Sequence, residues 1–130
     1  MSEHEAPKVG SIGWIDLTVD NADEVRDFYK EVVGYKTSEV SMGDYADYCL
    51  NVPETNTPVA GVCHARGENA NLPAQWLIYM TVADLDASLA AVEARGGKIV
   101  VPAKGLAGGR FAVITDPAGA ISALYQPPSS

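Results

Sequence analysis

From Ile12 to Val19 the side chains alternate in character, with Ile15, Leu17 and Val19 on one face and Trp14, Asp16 and Thr18 on the other. That alternation predicts a strand with an aliphatic side and an aromatic, polar side. Asp20 or Asn21 can cap the segment that follows, in which Val25, Phe28, Tyr29 and Val32 recur at helical spacing until Gly34 stops it. Tyr35 to Met42 and Tyr45 to Val52 read as a hairpin around Gly43 and Asp44, and Pro58 to Ala65 as a further strand after the turn at Pro53 to Thr57.

Residues 66–75 are polar and rich in turn formers, and they read as a linker. The order of elements then starts again. Trp76 to Val82 is a strand, Asp84 or Asp86 caps a helix with Leu85, Leu89 and Val92 inward, and Gly96-Gly97 ends it. Lys98 to Pro102, Arg110 to Thr115 and Ala120 to Gln126 complete the set, with a turn at Asp116-Pro-Ala-Gly119. The glycine-rich stretch from Lys104 to Gly109 joins two strands and precedes no helix that could hold an anion, so it reads as a flexible hairpin suited to act as a lid.

The two halves are one pattern written twice. Trp14-Ile-Asp-Leu-Thr-Val19 recurs as Leu77-Ile-Tyr-Met-Thr-Val82, and the same offset of 63 residues carries Asp23 onto Asp86 and Gly34 onto Gly97. The reading is an α+β chain of 130 residues forming a single domain. It consists of two tandem βαβββ modules, one over about 10–65 and one over about 76–127, in a curved mixed sheet around a central cavity. If helices cover one side only, the aliphatic side of each first strand meets its helix and the other side lines the cavity. Parity then assigns Trp14, Asp16 and Thr18, with Leu77, Tyr79 and Thr81, to the cavity, and Ile15, Leu17, Ile78 and Met80 to the core.

Composition narrows the chemistry. A net charge of −8 with a pI near 4.5 repels phosphate backbones and anionic lipid, so neither nucleic acid nor a membrane is an expected partner. No apolar run approaches the ~20 residues of a spanning helix, and the first residues resemble no secretory signal, so the expected compartment is the cytoplasm. Cys49 and Cys63 are too few and too far apart for a zinc motif and read as small buried hydrophobes.

The duplicated module, the strands running into Val-Asp-Asn and Val-Ala-Asp-Leu-Asp, the Gly-Gly helix end and the Asp-Pro-x-Gly hairpin together resemble the vicinal oxygen chelate superfamily of glyoxalase I, bleomycin-resistance proteins and extradiol dioxygenases. The resemblance covers about residues 10–127 and implies two modules joined around a cavity. Such modules commonly pair between chains, which implies a homodimer. Many members bind a divalent metal through His, Gln or Glu, but the matching positions here are Trp14, Leu77, Ala123 and the neighbourhood of Gly61. An indole nitrogen only donates, and Leu, Ala and Gly offer no side-chain lone pair, so the expectation is no metal and no cofactor.

Asp16 is the first candidate for chemistry, as a general base or ligand anchor, with a structural carboxylate bonded to Arg110 or a hydroxyl as the plainer reading. Tyr79 is its counterpart in the second module, and a Tyr and an Asp lining one aromatic pocket suit proton transfer or oriented binding. His64 is a third candidate; neighbours on a strand point to opposite faces, so it forms no dyad with Cys63 and reads as a rim or interface residue or a lone acid or base. Trp14, Thr18, Leu77, Thr81 and Tyr125 are the expected ligand-binding residues. The favoured function is metal-independent binding of a small apolar or aromatic molecule. The alternatives are a glyoxalase-like lyase, isomerase or dioxygenase with atypical residues, and a dimeric interaction module.

Overall fold

The computed structural model describes residues 7–128. Its elements run β1 (Ile12–Val19), α1 (Ala22–Val33), β2 (Lys36–Ser41), β3 (Ala46–Asn51), β4 (Pro58–His64), a single 3-10 turn at Gly67–Asn69, β5 (Trp76–Thr81), α2 (Leu85–Ala94), β6 (Lys98–Leu106), β7 (Gly109–Thr115) and β8 (Ile121–Gln126). This is the α+β class, with the βαβββ order appearing twice. The chain divides into two compact units, one of Trp14–Trp76 and one from Leu77 onward together with the residues up to Gly13.

In the first unit the strand order is β2-β3-β4-β1, with β1 parallel to β4 and the other pairs antiparallel. Leu17 and Val19 of β1 pack with Tyr48, Leu50, Ala60 and Val62 and with Val25 and Tyr29 of α1, so the aliphatic side of β1 does meet its helix. α1 ends as its glycine requires: Gly34 takes φ 91° and its N–H donates to the Lys30 carbonyl at 3.0 Å. The expected inner stripe of this helix is only half used, since Phe28 is 56% and Val32 63% exposed while Val25 and Tyr29 pack inward.

The second unit repeats the plan as β6-β7-β8-β5, with β5 parallel to β8. Residues 10 and 11 join it: Gly10 N–H donates to the Thr81 carbonyl at 2.9 Å and Thr81 N–H to that of Ser11 at 2.9 Å. Met80 and Val82 pack with Leu85, Leu89 and Val92 of α2 and with Ala112, Ile114 and Leu124. Asp84 is the N-cap of α2 and accepts from Ala87 N–H at 3.2 Å.

One expectation gives way here. β6 continues past Pro102 to Leu106; the ladder to β7 slips between Val101 and Lys104, where proline has no N–H to donate, and then resumes. The stretch from Lys104 to Gly109 forms the expected hairpin, with Lys104 to Leu106 belonging to β6 and Gly109 to β7. It closes on a two-residue turn, with Ala107 at φ 51° and Gly108 at φ 81°, the positive pair that tight hairpins use.

Candidate functional site

Away from α1, the first unit presents Trp14, Asp16 and Thr18 along β1, with Asp16 and Thr18 buried. In register, Gly61 stands beside Asp16 and Cys63 beside Thr18, and Cys49 of β3 faces Gly61 from the other side. The glycine matters for close approach: a Cβ there would lie 3.2 Å from the Asp16 Cβ and 3.4 Å from Trp14 Nε1. Any side chain at position 61 would thus crowd the indole and the Asp16 side chain, both of which lie close against β4 where it is bare. An indole N–H donor and a carboxylate acceptor on one strand face can orient a polar group on an otherwise apolar ligand.

Burial is what pushes the Cys63 thiol well above the usual cysteine range, with the carboxylates of Asp16 and Asp47 adding to it. A thiol so held is a poor nucleophile, though Cys63 and Cys49 are half-buried rather than the buried hydrophobes expected.

In the second unit the face away from α2 carries Leu77, Tyr79 and Thr81, all buried. Tyr79 pairs with Ala123 and Thr81 with Tyr125, and Phe111 of β7 stands on the other side of Tyr125. The Tyr79 and Phe111 rings lie 6.0 Å apart at 40°, and Lys104 Nζ is 5.5 Å from the Phe111 ring. The Tyr125 hydroxyl donates towards the carbonyls of Leu106 at 3.2 Å and Ala107 at 3.3 Å, tying the β6–β7 hairpin to β8. Phe111 escaped the sequence reading, although its alternation with Val113 along β7 marks it for the same face as Tyr125.

Two candidates take other partners. Arg110, offered above as a partner for Asp16, is bound by Asp86 of α2 through two N–H···O contacts of 3.3 and 2.8 Å, and that guanidinium holds the Asp86 carboxyl below the usual range. His64 shares the parity of Val62 and so lies on the α1 side of the sheet, not with Asp16. Its Nδ1 is 3.3 Å from Asp47 Oδ1 and its Nε2 3.5 Å from Asp23 Oδ1, while its backbone N–H donates to Asp47 at 2.8 Å. Tyr48 also donates to Asp23, and this bond raises the Tyr48 pKa above the ordinary phenol value. Asp47, which gathers the end of β4, carried no motif that singled it out.

For a metal, the donor set is wrong at the inherited positions: Trp14 lies over Gly61 with only its N–H to offer, and Leu77 and Ala123 are buried aliphatics. Among the described residues no group of three or more His, Cys, Asp or Glu side chains could hold an ion. No helix among them is long and apolar enough to cross a membrane.

The duplicated βαβββ plan agrees with the comparisons. Residues 11–121 match the model of the Glyoxalase/Bleomycin resistance protein/Dioxygenase superfamily, and the chain belongs to that superfamily. It is 32% identical over 121 residues to a Mycobacterium bovis protein provisionally named glyoxylase CFP32, and 30% identical over 111 residues to the anthracycline biosynthesis protein DnrV of Streptomyces peucetius. Those alignments take in 92% and 85% of this chain but 45% and 39% of the relatives, so the chain spans less than half their length. Among solved structures, a methylmalonyl-CoA epimerase in complex with methylmalonyl-CoA shares the fold at a TM-score of 0.60 with 16% identity, covering 92% of this chain and 96% of that one. The Mycobacterium tuberculosis methylmalonyl-CoA epimerase matches at 0.59 with 19% identity, covering 97% and 95%.

Proposed function

We propose that the protein is a small-molecule-binding member of its superfamily that works without a metal and takes an apolar or aromatic ligand on the strand face of the first unit that bears Trp14 and Asp16. The observation that carries this reading is the Trp14–Gly61–Asp16 arrangement. An indole fills the position at which the family resemblance implies a metal ligand, and its N–H lies against Gly61 on the same face as the buried Asp16. Thr18 shares that face of the first unit, while Leu77, Thr81 and Tyr125, with Phe111, make up the corresponding face of the second unit. The name of DnrV ties a 30% identical relative to anthracycline biosynthesis, which supports a flat aromatic ligand class. Cytoplasmic location and pairing into a homodimer belong to the same proposal.

Titration calorimetry with an anthracycline and with naphthol tests it. Trp14→Ala should weaken binding tenfold or more, about 1.4 kcal/mol, while the thermal melt stays near that of the parent. Unchanged affinity would remove Trp14 from the site. A stoichiometric divalent ion in the purified protein would overturn the metal-free part. A second reading, proton-transfer catalysis, rests on Asp16 being a carboxylate held in a buried setting. It requires that Asp16→Asn abolish turnover of an identified substrate without abolishing binding.

A further inference from the structure

On the α1 side of the first unit, opposite the face just described, lies a cavity of about 380 Å³ lined by Leu17, Val19, Asn21, Val25, Phe28, Tyr29, Ala74, Gln75 and Trp76. Three aromatic rings meet on it at steep angles. The Phe28 and Tyr29 centroids are 5.1 Å apart at 89°, and those of Tyr29 and Trp76 5.4 Å apart at 70°. Trp76 Nε1 donates to the Tyr29 hydroxyl at 3.3 Å, which braces the two rings. Phe28 is left 56% exposed while Val25 and Tyr29 of the same helix pack inward, and this exposed ring borders the cavity.

Among the described residues no cationic side chain lines this cavity, and a second cavity of about 260 Å³ sharing Val19, Asn21 and Ala74 adds the carboxylate of Asp20. Asn21 is the N-cap residue of α1 but makes no side-chain cap. Its Nδ2 donates instead to Glu24 Oε1 at 3.0 Å, which brings a second carboxylate within one hydrogen bond of the lining. Aromatic faces attract a cation within about 6 Å of the ring centroid, and a net charge of −8 concentrates cations around the whole molecule.

We infer that this cavity is a binding site for an organic cation, a methylated or quaternary ammonium group seated among Phe28, Tyr29 and Trp76. The size fits, since 380 Å³ lies within the range of small-ligand sites. The site is independent of the proposed function: Leu17 and Val19 line it from the opposite side of β1 to Trp14 and Asp16.

Choline and its uncharged carbon isostere dimethylbutanol, titrated in parallel by calorimetry, separate charge recognition from burial alone. Choline should bind at least tenfold more tightly than the isostere, and more weakly as salt rises. Phe28→Ala should reduce choline affinity at least fivefold, and Phe28→Tyr should retain it; because Phe28 is largely exposed, neither change should disturb folding. Trp14→Ala should leave choline binding as it was. Equal affinity for both probes, no choline binding, or indifference to Phe28→Ala would each overturn the assignment. Loss of choline binding in Trp14→Ala would place the cation on the other face of the sheet and overturn it too.

Discussion

Gly61 shows how much one missing side chain can arrange. Without a Cβ, β4 lets the Trp14 indole and the Asp16 side chain lie against it; with one, both must move by a few tenths of an ångström or more. Strand parity put Trp14 and Asp16 on one face from the sequence, but Gly61 lies a helix and two strands further along the chain, and its close approach to both comes from the β1–β4 register. Cys63 sits one step further along the same row, beside Thr18. Its half-buried thiol is held above the usual range, so little thiolate exists at neutral pH. Iodoacetamide at pH 8 should therefore alkylate Cys63 in a Cys49→Ser background at least tenfold more slowly in the folded protein than in urea. Equal rates would show the thiol to be accessible and ionised.

The two helices occupy equivalent places yet are secured differently. α2 has a side-chain cap, Asp84 to Ala87 N–H, whereas Asn21 spends its amide on Glu24 and leaves α1 uncapped by a side chain. Asp84→Ala should lower stability by about 1 kcal/mol, and Asn21→Ala by under about 0.5 kcal/mol, since the Asn21 side chain makes no cap bond to lose. Denaturant midpoints at constant m-value measure both, and equal losses would contradict the difference in capping. The sequence offered two candidates at each helix start, because Asp and Asn both suit an N-cap. Backbone geometry chose between them. The β6–β7 hairpin makes the same point: its glycines read as freedom, while the fold turns them into a tight two-residue connection that the Tyr125 hydroxyl holds.

For the molecule as a whole, two arguments reach beyond a single unit. The chain spans less than half the length of its curated relatives, and its exposed apolar side chains include Val32 and Val33 at the end of α1. If those exposed apolar side chains pair two copies, as proposed, light scattering should give twice the 13.7 kDa chain mass at micromolar concentration; a monomer would refute the homodimer. Much of the architecture was legible in one dimension. The periods of 2.0 and 3.6, the glycine stops and the 63-residue repeat are local or self-comparing signals, and each depends on a side chain's relation to its own backbone. The strand order, the β1–β4 and β5–β8 pairings, and the partners of Arg110 and His64 were not legible, because they join residues far apart in the chain. Asp86 and Asp16 are equally acidic on the page; only packing α2 over β7 gives Arg110 to Asp86. Likewise the aromatic cavity beneath Phe28 needs Trp76, 48 positions later, folded back against α1. Alternation decided which face each residue takes, and burial of those faces decided which residues meet.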